Sequence, residues 1–338
     1  MDTESPIEIF STTPQSKDRS RQTYLQQVID VAQWSEQAGC KAILVYTDHS
    51  LVDPWLVSQI ILQNTEKICP LVAVQPAYMH PYAAAKMVAT LSHFYDRQIY
   101  LNMVAGGFRN DLLALNDTTP HDERYTRLIE YTTIIKDLLS KTGLISFQGK
   151  FYKVSNLKMT PPLDPLLVPR ILISGSSEAG MAAAKAIGAT PVIYPKQAKQ
   201  QASDSSAVDD KGGVRVGIIA REQRAEAWDV ANQRFPGDRK GQIAHDLAMR
   251  TSDSEWHKQL SALAEDVRGA GDVYWMWPFE NYQTFCPYLV GSYDDVAEEL
   301  SCYINFGYRT FILDIPPTRE ELQHTNIAFE YAMQGVGQ

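Results

Sequence analysis

The sequence predicts a (β/α)8 TIM barrel with insertions. Eight short, nearly continuous apolar segments begin at Ile7, Ala42, Leu71, Ile99, Ile171, Pro191, Val214 and Thr310. Helical periods fill the connections between most of them. The residues leaving the segments are mostly polar or small, whereas the loops entering them are short, which marks one end as a working face. Strands that are apolar without alternation are buried on both faces, as in a parallel sheet covered by helices. A doubly wound open sheet is the rival that the same alternation allows.

Taken in order, Ile7 to Phe10 is a short opening strand that runs into the polar loop Ser11-Thr12-Thr13-Pro14. Tyr24 to Gln37 places Leu25, Val28, Ile29, Val31, Ala32 and Trp34 at helical spacing, and Gly39 ends it. Ala42 to Tyr46 is a strand, Trp55 to Gln63 a helix, and Leu71 to Val74 a strand. Pro81 stands near the start of a helix to Phe94, where its missing N–H costs nothing. Ile99 to Val104 is a strand, and Glu123 to Leu139 a longer helix. After a proline-rich break at 144–169 come the strand at Ile171, a helix from Glu178 to Ile187, and a strand from Pro191 to Tyr194. Val214 to Ala220 and Thr310 to Ile315 complete the eight. Residues 197–213 read as a solvent loop, and 237–291 as a long connection rich in tryptophan, tyrosine and phenylalanine. Aromatic side chains so concentrated in one connection suit a lid over a pocket or an oligomer contact. The whole chain, 1–338, is expected to form a single domain that carries this lid.

Composition bounds the function. With 338 residues, 44% of them apolar, the chain can bury a large core. Its net charge of −9 argues against a nucleic-acid surface. No apolar run is long enough to cross a bilayer, and the acidic start (Met1 to Pro6) lacks the pattern of a secretory signal, so a cytoplasmic protein is expected. Cys40, Cys69, Cys286 and Cys302 show neither CxxC nor metal-ligand spacing with histidine. Neither a GxSxG elbow nor an HExxH motif is present, and no GxGxxG follows the first strand.

The stretch PRILISGSSEAG, 169–180, carries the most chemistry. A strand that turns through Ser174, Gly175, Ser176 and Ser177 into a helix presents unpaired N–H groups at a positive dipole end, which suits a phosphate. On its own, the same turn is an ordinary serine cap.

Its surroundings add a family. LNMVAGGFRNDL, HDERYTRLIEYTTIIKDLL, FQGKFY and ILISGSSEAG, with TDHSLVDPWLV and AMRTSDSE, together resemble the bacterial-luciferase-like flavin monooxygenases, and within them the alkanesulfonate monooxygenase group. The resemblance runs from about Tyr24 to Ala332. It implies a barrel that binds reduced FMN (FMNH2) delivered by a separate NAD(P)H:flavin reductase. Such an enzyme oxygenates an organic substrate with O2 through a C4a-peroxyflavin, and dimers are a family-level expectation. It further implies that Ser174, Gly175, Ser176 and Ser177 hold the flavin phosphate with Tyr125 nearby. Asn102, Ala105 and Gly106 would lie below the ring system, and Gln75 at its other edge. Small residues beneath a planar tricycle and donors at a helix start fit that ligand.

The substrate end departs from the alkanesulfonate pattern. Leu51 stands where that group has cysteine, Gly217 where it has histidine two residues after the arginine matched by Arg215, and Tyr194 where it has tryptophan. The final segment reads ENYQTFCPYLVGS in place of a glycine-rich loop with an arginine. A medium-sized, partly apolar substrate is therefore expected rather than a simple alkanesulfonate. His49, after the second strand, and His80, after the third, are candidate proton donors, or else a backbone-bonded loop residue and a helix cap. Arg215 and Arg250 are candidate anion partners, or cations on the surface or between helices. Tyr194 is a candidate pocket donor or one more half-buried aromatic. An F420-dependent oxidoreductase and a non-catalytic flavin-binding relative are the competing functions on the same scaffold.

Overall fold

The computed structural model describes residues 6–17, 19–175, 177–203, 212–243, 245 and 272–335. The strands are β1 (Glu8–Thr12), β2 (Ala42–Val45), β3 (Cys69–Val74), β4 (Tyr100–Met103), β5 (Ile145–Gln148), β6 (Lys153–Leu157), β7 (Ile171–Ser174), β8 (Thr190–Ile193), β9 (Gly213–Arg221), β10 (Tyr274–Trp275), β11 (Tyr288–Ser292) and β12 (Thr310–Leu313). The helices are α1 (Arg21–Gln37), α2 (Pro54–Asn64), α3 (Pro81–Tyr95), α4 (Arg109–Ala114), α5 (His121–Ser140), α6 (Glu178–Ile187), α7 (Ala198–Ser203), α8 (Arg224–Arg234), α9 (Trp277–Glu280), α10 (Tyr293–Asn305) and α11 (Arg319–Gly335). Each of the eight predicted strands is present. They fall in two compact units, one of residues 13–36 and 41–191, the other of 1–12, 37–40 and 192–338.

In the first unit β2, β3, β4 and β7 lie side by side and parallel, with Ala42 opposite Cys69, Leu71 opposite Tyr100 and Leu101 opposite Ile171. β2, β3 and β4 are buried along their whole length, as expected for strands covered on both faces. Local chemistry sets the helix ends. Asp53 caps α2 by accepting from Trp55 and Leu56 N–H ahead of Pro54, and Asp96 closes α3 in the left-handed region at φ 50°. The break at 144–169 contains a two-stranded hairpin, β5–β6. Its apolar residues Ile145 and Val154 are buried in the core that also holds Leu128, Tyr131, Ile134 and Ile135 of α5.

In the second unit β1 pairs with β12, β12 with β9, and β8 with the start of β9, all parallel. β9 is nine residues long and buried throughout. Its first half faces Thr310–Leu313, and its second half, Gly217–Arg221, pairs with β11. Residues 274–275 and 288–291 of the predicted lid connection, 237–291, therefore belong to strands. The rest of that connection between 246 and 271, Arg250 included, lies outside the described residues. Ser292 opens α10 with a capping box completed by Asp295.

A buried ion triad ties β9, α8 and α11 together. Glu321 Oε1 accepts from Arg221 and its Oε2 pairs with Arg234, with side-chain exposures of 10%, 8% and 18% respectively. Burial raises the Glu321 pKa, and the two guanidinium groups outweigh it, so the carboxyl sits below its ordinary 4.5. A depressed carboxylate contributes stability above its unfolded-state pKa and loses it as pH falls through the folded value. Glu321→Gln should therefore cost about 3 kcal/mol at neutral pH, because two buried cations lose their partner. In urea melts the deficit against the parent protein should shrink as pH falls below 4.5.

Candidate active site

The first unit gathers most of the residues singled out for flavin binding. β4 ends in Asn102-Met103, and β7 places Ser174 beside it, so that Ser174 Oγ donates to Asn102 Oδ1 at 2.9 Å. Asn102 is 4% exposed, so this bond fixes the orientation of a buried amide. Past β4 the chain turns at Gly106 with φ +99°, a left-handed conformation that disfavours any side chain. A Cβ there would lie 3.2 Å from Gln75 Nε2, which shows that the Gln75 amide rests against the glycine. Ala105 is buried next to it.

The turn after β7 is approached from α5. A Cβ on Gly175 would stand 2.9 Å from the Tyr125 hydroxyl, and one on Gly180 3.3 Å from the same oxygen. Only glycine at 175 lets this phenol come so close. Ser177 caps α6, its Oγ accepting from Gly180 N–H at 3.1 Å, while its own O–H remains a donor. The turn is thus a serine cap, and it leaves a hydroxyl donor at the start of the helix. Ser176 lies outside the described residues.

Among the described residues, neither candidate histidine is hydrogen-bonded to that group. His49 Nδ1 stands 3.7 Å from Asp111 Oδ1, an ion-pair distance too long for a hydrogen bond, and its ring tilts against Tyr78 at 5.4 Å. Burial raises the Asp111 pKa, Asp48 raises it further, and His49 works against both. His80 caps α3, its Nδ1 accepting from Tyr82 N–H at 3.1 Å, and meets Tyr152 edge-on at 5.9 Å. Spacing alone does not pair Asp111 and Tyr152 with these histidines, although both lie in the family-like segments LNMVAGGFRNDL and FQGKFY.

The second unit holds a separate polar cluster. Asp314, at the end of β12, accepts from Thr284 Oγ1 at 2.5 Å and from the Tyr288 hydroxyl at 2.8 Å through Oδ2. Its Oδ1 stands 4.0 Å from Arg215. A Cβ at Gly217 would fall 2.3 Å from the Tyr288 ring, so that ring occupies the space a side chain at 217 would take. Burial raises the Tyr288 pKa well above its usual value, and Asp314 adds to the shift, so the phenol stays protonated and donates. Burial raises Tyr194 likewise, with Cys286 and Asp314 next in weight. The tyrosine could not be picked out by spacing, since Tyr288 and Asp314 meet across 26 residues. Among the described residues no group of three or more His, Cys, Asp or Glu could hold a metal ion, and no helix is long and apolar enough to cross a membrane.

The profile of the luciferase-like monooxygenase family matches residues 6–310. The chain belongs to this family. It is 35% identical over 312 residues to the 4-(gamma-L-glutamylamino)butanoyl-[BtrI acyl-carrier protein] monooxygenase BtrO of Niallia circulans, covering 90% of both chains. This relative is not an alkanesulfonate monooxygenase, so the match bears out the family and not that group within it. The EDTA monooxygenase EmoA from Chelativorans sp. BNC1 shares the fold, with a TM-score of 0.76 at 15% identity over 99% of this chain and 95% of that one. So do the oxygenating constituent of 3,6-diketocamphane monooxygenase from Pseudomonas putida, solved with FMN (TM-score 0.70, 15% identity, 97% and 98% covered), and an F420-dependent secondary alcohol dehydrogenase (0.65, 13%, 97% and 99%). The fold class is accordingly the luciferase-like (β/α)8 barrel.

The contact between Gly217 and Tyr288 is directly testable. Gly217→Ala should destabilise the protein by about 1–3 kcal/mol, because a buried ring has to move. Adding Tyr288→Leu should recover part of that loss, as a double-mutant cycle in urea would measure.

Proposed function

We propose that this protein is a two-component monooxygenase that uses reduced FMN, supplied by a separate reductase, and O2 to oxygenate an acyl chain held on a carrier protein. The observation that carries the flavin half is the Tyr125 hydroxyl set against the Gly175 turn, beside the bonded Asn102–Ser174 pair. Tyr125 O–H, Ser177 O–H and the first N–H groups of α6 are the donors for the flavin phosphate. With its Oδ1 taken by Ser174, Asn102 offers its amide N–H to the ring system. Ala105, Gly106 and the Gln75 amide supply a flat, narrow floor. When bound, reduced FMN supplies the two electrons that divide O2 into the oxygen inserted in substrate and a molecule of water.

The substrate half rests on the 35% identity to BtrO, a monooxygenase named for a 4-(gamma-L-glutamylamino)butanoyl group on an acyl-carrier protein. Arg215, Asp314 and Tyr194 are the residues assigned to the substrate's polar end, with Tyr288 holding the Asp314 carboxylate in place. Arg250 is retained as a candidate anion partner and His49 as a candidate proton donor. His80 has its Nδ1 committed to α3, so Nε2 is the nitrogen it offers.

Anaerobic titration with FMNH2 and with reduced F420 decides the cofactor. FMNH2 is expected to bind, and Tyr125→Phe to weaken it about tenfold, the loss of one hydrogen bond to a charged group. Addition of O2 together with carrier-bound 4-(gamma-L-glutamylamino)butanoyl thioester should then couple O2 uptake to an oxygenated product. Oxidation of reduced F420 without O2 uptake, or failure of FMNH2 to bind, would overturn the reading.

A further inference from the structure

We propose that the β5–β6 hairpin is the surface on which this enzyme receives an acidic carrier protein, an inference that rests on the carrier-bound substrate proposed above. Between Asp137 and Asp164 the chain carries Lys141, Lys150, Lys153 and Lys158 and not one Asp or Glu, although the whole protein has a net charge of −9. All four lysines are exposed. Lys141 pairs with Asp137 and Lys150 with Glu123, both at 2.8 Å, pairs weak enough in water to exchange for a partner's carboxylates. Leu144, just before β5, is 65% exposed and adds an apolar contact amid the positive charge. A basic surface with an apolar point on an otherwise acidic protein selects an acidic protein partner and speeds its encounter.

The hairpin is held firmly against α5. The Glu130 carboxylate of α5 accepts from Lys150, Phe151 and Tyr152 N–H at 2.7, 2.8 and 3.1 Å, which locks the hairpin turn onto the helix. Gly149 permits this contact, since a Cβ there would fall 2.4 Å from that carboxylate. Glu130 is five residues along α5 from Tyr125, about 7.5 Å of helix axis. Tyr152 meets His80 at the exit of β3, and Lys86 of α3 donates to the Thr160 carbonyl. Lys150, in the hairpin turn, is therefore near the end of α5 that carries Tyr125, while Lys141 follows the opposite end of that helix, about 24 Å along its axis. Nothing in the flavin chemistry uses them.

The test is the binding of a phosphopantetheinylated acyl-carrier protein to the full-length enzyme by biolayer interferometry. The wild-type complex should weaken about tenfold between low and physiological salt, as a charge-steered interface does. K153E/K158E should weaken it about tenfold at low salt, while K153R/K158R retains it. Reduced FMN should bind the parent and K153E/K158E equally, which shows the site intact. An unchanged carrier affinity in K153E/K158E would overturn the proposal, as would equal binding to heparin or to vesicles of anionic lipid. The flavin titrations above decide the monooxygenase reading separately, because carrier binding is read without turnover.

Discussion

The phenol of Tyr125 stands against the backbone of the Gly175 turn, and the candidate flavin site depends on that contact. The hydroxyl lies in the space that side chains at 175 and 180 would claim, so the two glycines and the tyrosine form one packing unit. Because Ser177 caps α6 at the same place, the turn is fixed from below by its own helix and from the side by α5. A turn held this way is organised before any ligand arrives, so the anion site proposed there would need little reordering on binding.

The second unit uses the same device with the roles reversed. Removing the side chain at 217 opens a space on buried β9, and the Tyr288 ring of β11 fills it, carrying its hydroxyl to Asp314. The residue read as a loss against the alkanesulfonate pattern is thus the opening that admits a different polar group. Asp314 bonded to two hydroxyls and facing Arg215 is a fixed, charged arrangement in a buried setting, where a mismatched ligand leaves polar groups unpaired.

Much of the barrel was legible because its strands are buried on both faces. Segments such as AILV and CPLVAV admit few other readings once helices flank them, and all eight were placed. The β5–β6 hairpin was passed over as a proline-rich break, although Ile145 and Phe147 alternate with polar neighbours as a half-buried strand does. Residues 288–291 of β11 fall inside the connection that reads as a lid, because Tyr288 counts among its aromatics. The partner of β11, the second half of β9, is distant in sequence, so nothing local marks the pairing. His80 was balanced between cap and proton donor, and the geometry shows the cap.

What the sequence determined by itself was local: strand and helix positions, the serine-glycine turn, the set of small residues after β4, and the family. These follow from periodicity, capping and backbone freedom, which act over a few residues. What only the tertiary structure decided was which side chains meet: Tyr125 with Gly175, Ser174 with Asn102, Glu130 with the hairpin turn, Tyr288 with Gly217 and Asp314. Those contacts join residues tens of positions apart, and their formation depends on the packing of whole elements, which no short window of sequence contains.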